Sequence, residues 1–241
     1  MRSSLPKVLH EVAGLSMVGH VLKTVAEAGG DHSAVVVGRE APRVQAAAEA
    51  VAEGTEIFEQ KERLGTAHAV LAAKPALERG FDQVLVLYGD TPLTTPETLH
   101  RMRDAMTGGA DVVVLGFRPE NNSGYGRLLM EGDRLVAIRE EKDANEEERK
   151  VGFCNSGIIG FAGEDAVSML ESINNDNKNE EFYLTDIVEV ASKRGKKVVA
   201  LEAPVEEVLG VDHRLKLAEA EGYWQDRRRD ELLLSGVTMQ D

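Results

Sequence analysis

The sequence predicts an α/β fold: a mixed, mostly parallel sheet with helices on both faces. Three observations carry this. Short apolar runs alternate with amphipathic stretches through the first 110 or so residues, the rhythm of a doubly wound sheet. One run, Val84, Leu85, Val86 and Leu87, is apolar at every position, as in a strand covered on both faces. It stops at Tyr88 and Gly89, and Asp90 follows at once. A carboxylate just past the carboxyl end of a strand is where open α/β sheets bind ligands.

The elements follow in order. Residues 1–7 read as a loop. Ser16 can cap a helix with Met17, Val18, Val21, Leu22 and Val25 inward, ended by Gly29 and Gly30. Residues 34–37 read as a strand closed by Gly38, 42–53 as an Ala-rich helix and 56–58 as a strand. A helix over 66–78 is expected, capped by Thr66 after Gly65. After the apolar strand, Thr95 caps a helix with Pro96 at its first position and Leu99, Met102 and Met106 inward. The pattern then changes. Residues 111–117 read as a strand, and 126–130 and 135–139 flank the turn residues 131–134, a hairpin signature. Residues 153–161 read as a strand split by Asn155, Ser156 and Gly157. Helices over 164–173 and 183–193, a strand over 197–202 and a long helix over 212–234 complete the chain. Apolar positions Leu215, Leu217 and Ala218 mark the first half of that helix. Its second half is nearly all charged and reads as a solvated arm.

Composition narrows the function. The chain has 241 residues, 42% of them hydrophobic, enough for one large domain with an appendage. A formal net charge of -14 argues against general binding to nucleic acid polymers or anionic membranes, but not against binding a nucleotide. Cys154 is the only cysteine, so no internal disulfide can form, which suits a reducing cytoplasm. No stretch reads as a signal peptide or a bilayer span. The six histidines show no metal-ligand spacing, so no structural zinc site is expected.

Several residues could carry chemistry. Lys7 follows Pro6 in a loop and could reach a phosphate as a compact cation. Gly65 and Thr66 stand at the mouth of a helix, where free N–H groups can meet a carbonyl or phosphate oxygen. Gln60 carries a donor and an acceptor and could read a base edge. Gly124 and Gly126, flanking Tyr125 before Arg127, allow close approach of a flat or sugar-like ligand. Glu140 and Asn155 suit hydrogen bonds to sugar hydroxyls. Asp212 is a good N-cap for the last helix, and with Asp90 it could hold one Mg²⁺. No arrangement of a nucleophile with a base stands out.

These motifs, in this order and spacing, resemble sugar nucleotidyltransferases. The resemblance is closest to the uridylyltransferase domain of bacterial bifunctional N-acetylglucosamine-1-phosphate uridylyltransferase/glucosamine-1-phosphate acetyltransferases. It rests on the segment 5–10, Gln60, Leu64 to Thr66, Tyr88 to Asp90, Gly124 to Arg127, Glu140, Asn155 to Gly157, the segment 181–186 and the segment 208–212. It implies a Rossmann-like nucleotidyltransferase fold with a small sugar-binding β lobe. It also implies the reaction of UTP with N-acetylglucosamine 1-phosphate to give UDP-N-acetylglucosamine and pyrophosphate. On it, Lys7 would hold phosphates, and Gln60, Gly65 and Thr66 would read uracil. Tyr88 and Gly89 would line the pocket, Gly126, Glu140 and Asn155 would bind the sugar, and Tyr183 and Thr185 would form its wall. Asp90 and Asp212 would hold Mg²⁺.

Three departures qualify the implication. The family opens with a strand and a Gly-rich loop whose last residue matches Met1, so that strand, that loop and the family's catalytic arginine are expected to be missing; Arg2 does not replace the arginine. A fragment lacking a central strand should expose sheet edges, be poorly stable and turn over little or not at all. Asp212 stands where the family usually has asparagine. The family's β-helix acetyltransferase domain would begin near the end of this chain, so residues 1–211 are expected to form the transferase domain and 212–241 an arm. The fragment would be monomeric, its full-length relatives trimeric. Two alternatives stay open: a nucleotidyltransferase for another base or sugar, and a non-catalytic sugar-nucleotide-binding module.

Overall fold

The computed structural model describes Met1, residues 3–38 and residues 41–239. Arg2 and the last two residues of the tail lie outside them. A small hairpin of β1 (Glu11–Val12) and β2 (Leu15–Ser16) leads into α1 (Met17–Glu27). Then come β3 (Ala34–Val37), α2 (Ala41–Glu49), β4 (Glu56–Glu59), α3 (Thr66–Ala72), α4 (Lys74–Leu77), β5 (Gln83–Val86) and α5 (Pro96–Thr107). The second half holds β6 (Val112–Phe117), β7 (Arg127–Glu131), β8 (Arg134–Arg139), β9 (Cys154–Ala162), α6 (Ala166–Glu171), α7 (Ile187–Lys193), β10 (Val198–Glu202) and α8 (Arg214–Leu234).

Local chemistry sets many of these bounds. Ser16 Oγ accepts from Gly19 N at 3.2 Å and opens α1. Thr95 Oγ1 accepts from Thr98 N at 3.3 Å and opens α5, with Pro96 at its first position. Gly132, at φ +62°, turns β7 into β8. The helix expected over 66–78 is instead two helices, α3 and α4. Pro75 has no N–H, and its ring crowds the carbonyl four residues back, so the α-helix breaks at Ala73. Two expected caps are also displaced. Gly65, not Thr66, precedes α3. His213, not Asp212, caps α8, its Nδ1 accepting from Lys216 N at 3.2 Å.

The main sheet runs β10-β6-β9-β7-β8, with β5 paired to the other edge of β9. It is mixed, as expected, but its pairings are mostly antiparallel where mostly parallel ones were expected, because β9 inserts between β5 and β6. β5, β6, β7 and β10 share one direction, while β8 and β9 run against it. β9 lies between β5 and β6, so only the β6–β10 pairing within this sheet is parallel. The expected split of β9 at 155–157 is a shift of register opposite Val114 and Gly116, not a break. It lets one strand serve both the main sheet and the β7–β8 lobe.

β6 is buried at all six positions, and its side chains alternate between two cores. Val112 and Val114 pack with Ile159, Phe161 and Ile187 on one face. Val113 and Leu115 pack with Leu99, Met102 and Ile158 on the other. The strand expected to be covered on both faces, β5, is only half-buried along its length.

The cause lies at its free edge. Among the described residues β5 pairs only with β9, and β3 only with β4 in a separate parallel pair. Between β3 and β5 runs a cleft of about 2120 Å³, lined by Val35, Val37, Leu85, Val21 of α1 and Val70 of α3. Among the described residues β3 and β5 each turn an unpaired edge toward this open cleft, as expected for exposed sheet edges.

α8 docks through residues 220–227, so the contact runs past its first half into the stretch expected to be a solvated arm. Ala220 is fully buried, Glu221 Oε2 accepts from Ala13 N at 2.6 Å, and Arg227 Nη1 donates to the Leu93 carbonyl at 3.0 Å. Its far end stands in solvent, with Leu234 90% exposed. Among the described residues no helix is long and apolar enough to cross a membrane.

Candidate active site

β5 delivers Tyr88, Gly89 and Asp90 to the rim of the cleft. The turn is closed by Thr91, whose N (3.2 Å) and Oγ1 (2.8 Å) both donate to the Tyr88 carbonyl. Asp90 Oδ2 receives Lys7 Nζ at 2.5 Å. Gly89 packs closely here: a Cβ there would lie 3.2 Å from Val8 Cγ1, beside Lys7 in the chain. The Asp90 carbonyl accepts from Val211 N at 2.9 Å, which brings Asp212 beside it in the chain. The Asp212 carboxylate is exposed, 3.7 Å from Lys216 Nζ and 3.6 Å from His213 Nε2.

The backbone of Asp90 thus adjoins the residue before Asp212, and the hard oxygens of both carboxylates are of the kind Mg²⁺ takes. Among the described residues no group of three or more His, Cys, Asp or Glu side chains could hold a metal ion by itself. Further oxygens would have to come from substrate or water.

On the lobe side, Glu140 follows β8 and accepts from Thr185 Oγ1 at 3.2 Å. Burial pushes its pKa up, opposed by the Thr185 bond. Gly126 leaves Glu140 its room, since a Cβ there would lie 3.3 Å from both carboxylate oxygens. Asn155 is buried; its N donates to the Gly126 carbonyl at 2.8 Å and its Oδ1 accepts from Gly157 N at 3.0 Å. The Tyr88 ring lies over Gly157, whose added Cβ would sit 2.6 Å from Tyr88 Cε2. Burial above all pushes the Tyr88 hydroxyl up to about 12, with help from Glu140 and Asp90, so it stays neutral. Tyr183 is held by Asn179, whose Nδ2 donates to its hydroxyl at 2.6 Å.

On the opposite side, Gln60 Nε2 donates to the Gly65 carbonyl at 3.0 Å and lies 3.1 Å from His68 Nδ1. Gly65 takes φ +118°, and a Cβ there would lie 2.6 Å from Phe182 N and closer still to its carbonyl oxygen. The Thr66 hydroxyl accepts from Leu184 N at 2.8 Å.

The residues singled out in the sequence therefore fall into two groups. Lys7 and Asp90 pair at the exit of β5, while the Asp212 carboxylate lies nearest His213 and Lys216 and is joined to Asp90 only through the Val211 backbone bond. Thr66, Tyr88, Thr185, Glu140, Gly126 and Asn155 form a linked wall, with Gln60 and Gly65 at one end and Tyr183 at the other. The sequence reading gave no role to Asp186 or Arg127. Asp186, next to Thr185, is pushed up to about 6 by burial and by Glu189 and Glu140. Arg127 is 1% exposed, bonds Glu141 at 2.7 Å and holds the lobe together. An arginine between a glycine turn and an apolar strand was the available signal.

This mixed sheet with a β lobe is the fold of sugar-nucleotide pyrophosphorylases. The chain superposes on apo UDP-glucose pyrophosphorylase with a TM-score of 0.73 at 18% identity, covering 93% of this chain and 92% of that one. The enzyme complexed with UDP-glucose gives a TM-score of 0.70 at 17% identity, covering 92% and 91%. Residues 1–182 match the MobA-like NTP transferase domain, and the chain belongs to that family. Its curated relatives include the bifunctional protein GlmU of Brucella anthropi, 53% identical over 99% of this chain and 53% of that protein. The GlmU of Chelativorans sp. is 54% identical over 99% and 53%. The chain spans about half the length of these relatives.

Proposed function

We propose that this chain carries the uridylyl-transfer site for N-acetylglucosamine 1-phosphate. A phosphate oxygen of the sugar phosphate attacks the α-phosphorus of UTP. The bond from that phosphorus to the bridging oxygen breaks, and pyrophosphate leaves. The nucleophile belongs to the substrate, in keeping with a site that offers no side-chain nucleophile with a base. The observation that carries the proposal is the pairing of Lys7 with Asp90 at the β5 exit, next to the wall that ends in Glu140.

Each group has a task. Lys7, 45% exposed on its side chain, is free to turn toward a phosphate. Mg²⁺, when bound by Asp90 and Asp212, would neutralise phosphate charge. Gln60, Gly65 and Thr66 hold the base end. Glu140 and Asn155 accept and donate to sugar hydroxyls and the acetamide, with Gly126 giving them access. Tyr88, Tyr183 and Thr185 shape the pocket around the sugar. Positioning and charge neutralisation carry the rate.

Residues 1–211 serve as the transferase body and 212–241 as an arm, in a cytoplasmic protein. Lys7, Thr66, Tyr88 and Gly89 all line the open cleft, which favours low turnover by the 241-residue chain. Pyrophosphate release with N-acetylglucosamine 1-phosphate tests the assignment. UTP should be used in clear preference to dTTP; a preference for dTTP would assign the site to another nucleotidyltransferase.

A further inference from the structure

We propose that Thr66 is a positioning residue that couples the base end of the site to Glu140 at the sugar end, acting through segment 182–185. The proposal deepens the assignment above and rests on it for the identity of the two ends.

The segment is zipped to the turn before α3 by three hydrogen bonds. Phe182 N donates to the Leu64 carbonyl at 2.8 Å, and Ala67 N donates to the Phe182 carbonyl at 2.9 Å. Leu184 N donates to Thr66 Oγ1 at 2.8 Å. Gly65 fits because it has no Cβ, so its glycine serves this packing before it serves any ligand. The very next residue, Thr185, donates to Glu140 Oε1 at 3.2 Å. Two residues thus separate the base-side hydroxyl from the sugar-side carboxylate.

The sugar end is tied to the same piece of chain a second time. Asn179 Nδ2 bonds the Tyr183 hydroxyl, and Lys142 Nζ donates to Asn179 Oδ1 at 3.0 Å. Lys178 N donates to Asp143 Oδ1 at 3.4 Å. The turn after Glu140 and the segment 182–185 therefore move together, and Thr66 is where they are fastened to the base-binding turn. Leu184 is 1% exposed, so its N–H has no water to replace a lost acceptor. Without the Thr66 hydroxyl the segment must shift, and Thr185 and Glu140 shift with it.

The test compares Thr66→Val, which keeps the shape, with Thr66→Ser, which keeps the hydroxyl. Calorimetry gives affinities for UMP and for UDP-N-acetylglucosamine, and their ratio measures what the sugar adds. Thr66→Val should shrink that ratio by about tenfold, more than it weakens UMP, and Thr66→Ser should restore it. Hydrogen exchange without ligand should speed up at Leu184 and also at Asp143 and Ala144 in Thr66→Val only. An unchanged ratio, or faster exchange at Leu184 with none at Asp143 and Ala144, overturns the coupling. A wild-type protein that binds UDP-N-acetylglucosamine no better than UMP overturns the sugar assignment instead, and the exchange result still decides the coupling.

Discussion

Asp186 carries the sharpest residue-scale consequence. Burial, then Glu189 and Glu140, lift its carboxyl from the ordinary 3.8 to about 6. Between those values the folded protein keeps a proton that the unfolded chain has released. The stability from this group is full below about pH 4, falls as pH rises through about 6, and is lost above. Asp186→Asn keeps the neutral form at every pH. Its Tm at pH 8 should exceed wild type by about 2–4 °C, and the wild-type decline between pH 4 and 6 should flatten. Equal melting points at pH 8 would refute the buried-carboxyl account. Nothing local in the sequence announces this group: the residues that raise its pKa include Glu140, more than forty positions away.

At the scale of elements, the outcome of each expectation follows the range of the forces behind it. α5 begins where Thr95 and Pro96 say it should, because a cap and a proline act within one turn. The β7–β8 hairpin was legible for the same reason at Gly132. The break between α3 and α4 was also local, and Pro75 was the sign that the single-helix expectation passed over. The role of Thr66 was not legible. Its partner Leu184 is 118 positions away, and a threonine after a glycine reads as a cap on any helix. Asp212 misled in the same way, with His213 beside it taking the cap. Gly65 offers the element-scale test. Gly65→Ala places a Cβ against the Phe182 backbone at φ +118° and should cost about 2–3 kcal/mol, with faster exchange in segment 182–185. A loss under about 0.5 kcal/mol would mean that the segment is not held where the structure has it.

At the scale of the molecule, the cleft between β3 and β5 dominates. The alternation of strands and helices through the first half of the chain was legible. The antiparallel insertion of β9 was not, because its pairings with β5 and β6 join segments far apart in sequence and leave no local trace. That one edge of β5 stands open followed from the family resemblance and not from periodicity, which had read residues 84–87 as covered on both faces. An extra strand-forming segment seated in the cleft would join β3–β4 to the main sheet and bury apolar side chains from α1, α3 and α5. Lengthening the chain with such a segment should raise Tm by about 5–10 °C; no change would mean that the cleft does not accept a strand.

The most direct test of the account measures nucleotide-sugar formation from UTP, N-acetylglucosamine 1-phosphate and Mg²⁺ in the 241-residue chain, in the lengthened chain and in Asp90→Asn versions of both. The account predicts UDP-N-acetylglucosamine and pyrophosphate in equal amounts, faster in the lengthened chain. It also predicts a loss of about a hundredfold or more with Asp90→Asn, without a large fall in Tm, because the Lys7–Asp90 pair is partly exposed. No nucleotide sugar from either chain, or equal rates with and without the Asp90 carboxylate, would contradict it.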